Sequence, residues 1–423
     1  METTNVRHKI MDRFQHMLDH TVVVNRRYLD DEQLIRSEQM AVLEEIFNTN
    51  VRDAEIQEIS SHFAPVLRGD HPVHLALWGK TGTGKTMTML YFLNLLAEMC
   101  RKRQILIRYR HIDLSTPRPC FRALNDLACL LNASKRYRKG ISLEELMGRI
   151  EGALADYQGY MVFFIDEVDN VRRDKDTFLS FLVRRLPQRV PSKVILVFAS
   201  NRLNWSDNLD PRIKSFLKLN ELIFKPYDAV DLQRILSIRV QKALRADAVE
   251  HGVIEKIAAL ASREHGDARK AVALLARSAY LAEKAGRAVS LELVDQAANE
   301  IEQDRYVLMI RSAPAQLQAA MASVIQASRN QRNGFLSTGE AYEVYRALCQ
   351  RARIRPLSGR AFGDLLAELD MYSLIRTRVL SRGRYGRSRE IELDLHEELL
   401  RRIESTILVS LDMGVRETTL PTQ

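Results

Sequence analysis

The rhythm of apolar and polar positions changes along the chain. Between residues 73 and 224, short apolar runs alternate with longer stretches of helical period. The runs Val73–Trp78, Ile105–Ile112, Tyr160–Ile165, Val194–Ser200 and Glu221–Phe224 are apolar on both sides, as buried parallel strands are. Lys85–Arg101, Pro119–Leu131, Ser142–Tyr157 and Asp176–Leu186 read as the helices between them. Five strands with interposed helices predict an α/β domain with a five-stranded parallel sheet covered on both faces. Upstream, Asp30–Thr49 reads as a helix carrying Leu34, Met40, Leu43, Ile46 and Phe47 at helical spacing. Residues 1–25 read as a polar arm.

The strand pattern stops at Pro226. Asp228–Leu244, Glu250–Glu264, Ala268–Gly286 and Ser290–Tyr306 predict an all-helical second unit. Pro314 opens a third segment, with helices Ala315–Ser328, Thr338–Arg351 and Ser358–Leu369. Two strand-like runs follow, Leu374–Leu380 and Glu390–Leu395, around a glycine-containing hairpin at 381–388. Three helices and a hairpin are the order of a winged helix. The expected boundaries are an arm at 1–25, an α/β domain at 26–227, a helical lid at 228–308, a winged helix at 309–405 and a tail at 406–423.

Composition narrows the class. Of 423 residues, 46% are hydrophobic and 28% charged, ordinary for a globular chain of two or three domains. With 18 Gly and 11 Pro, collagen-like and broadly disordered readings fail. Cys100, Cys120, Cys129 and Cys349 are scattered without a Cys-x-x-Cys pair, which argues against a disulfide scaffold and a structural zinc site. No apolar run approaches the ~20 residues that a bilayer requires. Met1–Arg13 is polar and mixes acids with bases, so a secretory leader is not expected there. The net charge of +9 favours an acidic partner, most often nucleic acid.

One motif carries chemistry on its own. Gly79-Lys80-Thr81-Gly82-Thr83-Gly84-Lys85-Thr86 matches G-x-x-x-x-G-K-[ST] between an expected strand and an expected helix. The glycines let backbone N–H groups close around phosphate oxygens, and the helix N-terminus adds its positive dipole end. Lys85 would reach the β- and γ-phosphates, and Thr86 would ligate Mg²⁺. The strand Tyr160–Ile165 ends in Asp166 and Glu167. Asp166 would hold the Mg²⁺ shell, and Glu167 would orient or deprotonate the attacking water. Asn201 ends the fourth strand and either positions that water or simply forms a turn. Asp267 reads as an N-cap, and Arg269 lies in the first turn after it. A cation there is mildly unfavourable to the helix dipole, which hints at an external anion such as a γ-phosphate.

On these residues the chain resembles the AAA+ ATPases, and in particular the archaeal origin-recognition initiators. The likeness runs from about Tyr28 to about Leu395. Tyr28-Leu-Asp-Asp-Glu and Arg36-Ser-Glu38-Gln39 are similar to the family's segment beside the adenine, though Ile35 departs from its usual aromatic or His. The resemblance makes Asn201 sensor 1 and Gly266-Asp267-Ala268-Arg269-Lys270-Ala271 sensor 2, and it adds Arg36 and Tyr227 to the nucleotide contacts. Leu209-Asp210-Pro211-Arg212 resembles the segment with the family's trans-acting arginine, although Phe216 replaces the small residue expected nearby. Leu357-Ser358-x-Arg360, Leu365-Leu366-x-Glu368-Leu369-Asp370-Met371 and Ser381-Arg382-Gly383-Arg384-Tyr385-Gly386-Arg387 resemble the family's winged helix. The resemblance implies an initiator with ATP/ADP and Mg²⁺ as cofactors and slow hydrolysis as a switch. Implied partners are double-stranded origin DNA, the ring-shaped replicative helicase of the minichromosome maintenance type, and paralogous initiator subunits. A cytoplasmic, nucleoid-associated location follows.

Charge supports the DNA reading. Eleven arginines between Arg346 and Arg389 face only Asp364, Glu368 and Asp370 in that window. Arg suits bidentate contacts to phosphate and guanine and fits narrow minor grooves. Ser358 and Arg360 at the start of the third helix, with Arg382, Arg384, Tyr385, Gly386 and Arg387 in the wing, are the expected DNA contacts. A second basic stretch at 135–140 includes Arg138 and Lys139. It lies where the resemblance places an initiator-specific DNA contact; by itself it is a charged loop. Two other classes share these parts. One is a transposition or helicase-loading ATPase with nonspecific DNA binding. The other is a signalling ATPase whose winged helix binds protein.

Overall fold

The computed structural model describes residues 21–30, 40–133, 140–329, 336–381, 387–393 and 395–412. Five strands form one parallel sheet: β1 (His74–Trp78), β2 (Ile107–Asp113), β3 (Tyr160–Asp166), β4 (Lys193–Ser200) and β5 (Leu219–Ile223). Their order is β2-β3-β4-β1-β5. The strand ends shift from the expected ones by one or two residues.

Alternate side chains along these strands enter two cores. Ala76, Trp78, Phe163, Ile165, Leu196 and Phe198 meet the helices Cys120–Leu130 and Leu143–Ala153 on one face. Leu75, Leu77, Val162, Phe164, Ile195 and Val197 meet Asp53–Phe63 and Lys85–Lys102 on the other. All of β3 is buried, and so is β4 except Lys193. Burial on both faces is why these strands are apolar throughout rather than alternating. The helix expected over Asp176–Leu186 is broken into Lys175–Ser180, a π-turn at Phe181–Arg185, and Leu186–Arg189.

The lid helices are Ala229–Ala243, Val253–Arg263 and Ala268–Ala285. Asp228 caps the first by accepting from the Asp231 N–H, and Gly286 closes the third in the left-handed conformation. The next helix, Leu291–Ser312, runs past the expected end at Tyr306. The chain divides into two compact units between Asp295 and Gln296, inside that helix, so the α/β domain and lid pack as one unit. Of the expected arm at 1–25, residues 1–20 lie outside the described residues, and residues 21–25 are not a loose arm. Residues 21–30 are strapped to the lid: Val24 and Asn25 N–H groups donate to Ala243 O, and Val22 and Val23 donate to Glu283 Oε1. Backbone pairing with a lid helix end, invisible to composition, orders this segment.

The second unit contains the helices Ala315–Arg329, Thr338–Arg351, Gly359–Met371 and Glu397–Ser410. Strands β6 (Leu336–Ser337), β7 (Arg376–Ser381) and β8 (Arg387–Glu392) form its sheet in the order β6-β8-β7. Tyr345 and Phe362 are fully buried, with ring centroids 4.8 Å apart. The last helix crosses the expected tail boundary at 405, because Ile403 and Ile407 extend the core contact. Among the described residues, no helix is long and apolar enough to cross a membrane.

At the edge of the sheet opposite the site, His74 Nδ1 accepts from the Leu196 N–H at 3.3 Å, which requires an unprotonated nitrogen. Burial, then the neighbouring His71 and His62, pull His74 down to about 4. A histidine depressed in the folded state is protonated preferentially in the unfolded chain. Its contribution is complete above roughly pH 6.5 and is lost as pH falls toward 4. Stability should decline over that window by at most about 1.4 kcal/mol per pH unit. Denaturant unfolding at several pH values checks this. His74→Asn, whose amide oxygen can replace Nδ1, should flatten the slope, and an unaltered slope would clear His74 of the effect.

Candidate nucleotide site and nucleic-acid interface

Strand register assembles the first site. Asp113 pairs with Asp166 at the ends of β2 and β3, and Trp78 pairs with Ser200 at the ends of β1 and β4. Gly79 and Asn201 therefore leave the sheet side by side, with the carboxylates one strand further on. This is the carboxyl edge where open parallel sheets bind ligands.

The phosphate loop joins β1 to the helix Lys85–Lys102. Gly82 and Gly84 have φ of +72° and +85°. A Cβ on Gly82 would lie 1.7 Å from Asp267 Oδ1, and one on Gly84 would lie 2.0 Å from the Tyr227 hydroxyl oxygen. Both positions therefore require glycine for conformation and for space. Lys85 Nζ donates to Gly79 O, Lys80 O and Asn201 Oδ1 at 2.7, 2.9 and 2.9 Å. Burial pulls Lys85 down to about 8, against the opposing pull of Asp166.

The Thr86 hydroxyl donates to Asp166 Oδ2 at 2.5 Å. Burial pushes the Asp166 carboxyl up, but His111, Thr86 and Lys85 together hold it below its ordinary range. His111 stacks on Phe164, and its Nε2 is 3.7 Å from Asp166 Oδ2, beyond hydrogen-bond reach. Glu167 is in the left-handed region with φ 52°. Burial, then Asp166 and Asp113, raise its carboxyl, and Asn170 Nδ2 donates to its Oε2 at 2.9 Å. A raised carboxylate beside an acidic neighbour is suited to accept a proton. Asp169 braces the end of β4 by accepting from the Ser200 hydroxyl at 2.7 Å, one residue before Asn201.

The lid closes over the loop. Ala268 N–H donates to Gly82 O at 3.1 Å, and Asp267 caps its helix by accepting from the Arg269 and Lys270 N–H groups. Arg269 lines one cavity with Thr81–Met87, Asp166, Glu167, Asn201 and Tyr227. Leu43, Ile46 and Phe47 supply its apolar wall, with Ile235 and Arg239 from the lid. That wall suits an aromatic base, and the glycine loop with Lys85 and the Thr86–Asp166 pair suits a magnesium-bound phosphate chain. The residues present thus fit ATP or ADP with Mg²⁺.

The expected residues Gly79 to Thr86, Asp166, Glu167, Asn201, Arg269 and Tyr227 meet here; Tyr227 lies under the loop as a buried support. Arg212 does not join them. It lies in the first turn of the helix Pro211–Leu217 and lines a separate cleft with Arg184, Arg185 and Phe216. Arg36 and Ile35 lie outside the described residues. Sequence reasoning missed Arg52, Asn170 and Arg239. Asn170 follows the acidic motif directly and was legible by position, but Arg52 carries no local signal.

In the second unit, the Ser358 hydroxyl caps the helix Gly359–Met371 by accepting from the Ala361 N–H, and Arg360 is exposed in its first turn. Arg353 and Arg355, in the turn before it, are also exposed. The Tyr342 hydroxyl donates to Leu357 O at 2.8 Å, and the Leu357 N–H donates to the Tyr345 hydroxyl oxygen at 3.2 Å, which fixes that turn. The raw arginine count overstates the positive face. Arg378 and Arg376 pair in register with Glu390 and Glu392, just beyond the counted window. Arg389 Nη1 donates to Gly363 O at 2.9 Å. Arg382, Arg384, Tyr385, Gly386, Arg138 and Lys139, and the Arg387 side chain, lie outside the described residues.

A phosphate loop on a five-stranded parallel sheet, a helical lid and a winged helix define a protein of the AAA+ class. Models of three families match in series: an AAA domain at residues 68–204, the Cdc6 AAA+ ATPase-type lid domain at 233–299 and the CDC6 C-terminal winged helix domain at 309–402. The chain belongs to the ORC1-type DNA replication proteins. It is 34% identical over 352 residues to ORC1-type DNA replication protein 1 of Archaeoglobus fulgidus, covering 83% of this chain and 85% of that one. It is 34% identical over 383 residues to the ORC1-type DNA replication protein of Pyrococcus abyssi, covering 86% and 90%. The solved structure of the Aeropyrum pernix ORC1 protein in complex with DNA superposes with a TM-score of 0.69 at 30% identity, over 91% of this chain and 97% of that one. The structure of Cdc6p from Pyrobaculum aerophilum shares the fold, with a TM-score of 0.53 at 20% identity.

Proposed function

We propose that this protein is an ATP-controlled replication initiator that binds double-stranded origin DNA through its winged helix and helps recruit or load the replicative helicase. The observation that carries the nucleotide half is the cavity in which Arg269 of the lid joins Lys85, Asp166, Glu167 and Asn201. Lys85 and Arg269 would meet the phosphates from base and lid. Thr86 and Asp166 would hold Mg²⁺, which supplies charge neutralisation at the phosphate oxygens. Glu167 would take the proton of the attacking water, and Asn201 would orient that water. Slow hydrolysis then resets a closed lid, a switch rather than a metabolic turnover. Arg212, remote from this cavity, is assigned to a neighbouring subunit's nucleotide.

The DNA half rests on the capped helix Gly359–Met371, with Arg353, Arg355 and Arg360 exposed at its leading end. A footprint on fragments of the protein's own genome, with ATP, with ADP and without nucleotide, tests the whole reading. Discrete protected repeats support an initiator. Uniform, salt-sensitive protection would reduce it to a nonspecific DNA-binding ATPase. Arg360→Ala is expected to weaken binding and reduce the slope of log affinity against log salt by about 1. Titration of a labelled duplex at several salt concentrations measures it, and an unchanged slope would remove Arg360 from the phosphate contacts.

A further inference from the structure

We infer that Arg52 is the positioning residue of the nucleotide site, acting through Tyr227 to hold the phosphate loop and lid in register. The inference rests on the reading of that site as an ATP site. Arg52 is 8% exposed and has φ of 66°. It also stands at the N-cap of the helix Asp53–Phe63, where a cation opposes the helix dipole. Each of these placements has a free-energy cost, so the compensating contacts are informative.

Those contacts converge on one segment. Nη1 donates to Glu55 Oε1 at 2.7 Å, and Nη2 donates to Lys225 O at 2.5 Å. The guanidinium lies 3.9 Å from the centroid of the Tyr227 ring and 5.5 Å from that of Phe224. Arg52 thus grips three of the four residues from 224 to 227, the link between β5 and the lid. That link is also the floor of the loop. The Phe224 N–H donates to Trp78 O at 2.7 Å, immediately before the loop begins. The Tyr227 hydroxyl fills the space that a Cβ on Gly84 would need, and the Tyr227 N–H donates to Gly266 O at 3.2 Å in the sensor 2 turn. Tyr227 therefore touches the phosphate loop with its side chain and the lid with its backbone. Arg52 sets where it stands.

The test is isothermal titration of the full chain with MgATP and with MgADP, below the unfolding range of every variant. Arg52→Met should bind both nucleotides about tenfold more weakly, as expected for loss of a desolvated cation–ring contact. Arg52→Lys keeps the charge beside Glu55 but loses the planar fork and should fall between Met and wild type. Tyr227→Leu should weaken binding similarly. The double variant Arg52→Met/Tyr227→Leu should be no worse than the weaker single, because both remove one strut. Wild-type affinity in Arg52→Met or Arg52→Lys, with only a lowered Tm, would make Arg52 a fold brace and overturn the inference; so would additive losses. If Arg52→Met does not fold, Arg52→Lys decides. Failure of the wild-type protein to bind either nucleotide would instead defeat the ATP reading, and the inference with it.

Discussion

Lys85→Ala is expected to bind ATP at least about a hundredfold more weakly than the wild-type protein, whereas its melting temperature should barely move. The ammonium of Lys85 is buried with three oxygen acceptors around it, and none of them is anionic. Burial has already pulled it down to about 8, so the folded protein holds a cation short of compensating charge. A phosphate chain would supply that charge in a water-poor site. Charge-assisted hydrogen bonds there contribute roughly 1.5–3 kcal/mol each, and one or two of them account for the predicted loss. Removing Lys85 leaves Asn201 Oδ1 without its partner but also removes a desolvated charge, so the two stability effects largely offset each other. Titration calorimetry beside thermal unfolding measures both. Affinity within threefold of wild type would take Lys85 out of the phosphate contacts.

Glu167→Gln is expected to keep nucleotide affinity and to lose hydrolysis by about 10²–10⁴, the span associated with one general base. The amide is nearly isosteric, and its oxygen can still accept from Asn170, which holds Oε2 at 2.9 Å in the wild-type protein. What it cannot do is take a proton. The left-handed backbone at φ 52° is unaffected by the change. Asp166, which pairs with Thr86, is likewise undisturbed. Single-turnover hydrolysis with a parallel binding assay separates the two effects. Turnover within a few-fold of wild type would pass the role to another carboxylate, and Asp113, the register partner of Asp166, is the first to examine.

Much of this arrangement was legible because it is local. The central strands β3 and β4, buried on both faces, have to be apolar throughout and were readable from residue runs alone, whereas the edge strands β2 and β5 are only partly buried and carry polar and charged residues. The phosphate loop is contiguous, and the acids after β3 follow from the strand that carries them. What could not be read depends on long-range pairing. Arg52 precedes the segment that it grips by more than 170 positions, and neither its charge nor its neighbours set it apart from a surface arginine. The strap at 21–30 carries the short apolar run Val22–Val24, too brief to mark an element, and looks like an unfixed arm until the end of a lid helix supplies its backbone partner. The arginine excess near the wing was overcounted for a related reason. Register, rather than spacing along the chain, sets Glu390 and Glu392 against Arg378 and Arg376. The hydrophobic wall beside the glycine loop was hidden because Leu43, Ile46 and Phe47 looked like any helix face.

The strap has a consequence for how the molecule is made. The Val22 and Val23 amides find their acceptor on Glu283, 261 and 260 residues later. A ribosome adding roughly 5–20 residues per second would take on the order of ten seconds to a minute to deliver that glutamate. Until Glu283 arrives the Val22 and Val23 amides lack this acceptor, although Ala243, which accepts from Val24 and Asn25, is made earlier. The strap is therefore fully tied only after most of the lid has been made. A truncated product ending before residue 243 would carry the whole phosphate loop and neither acceptor, Ala243 O nor Glu283 Oε1, for the amides of residues 22–25.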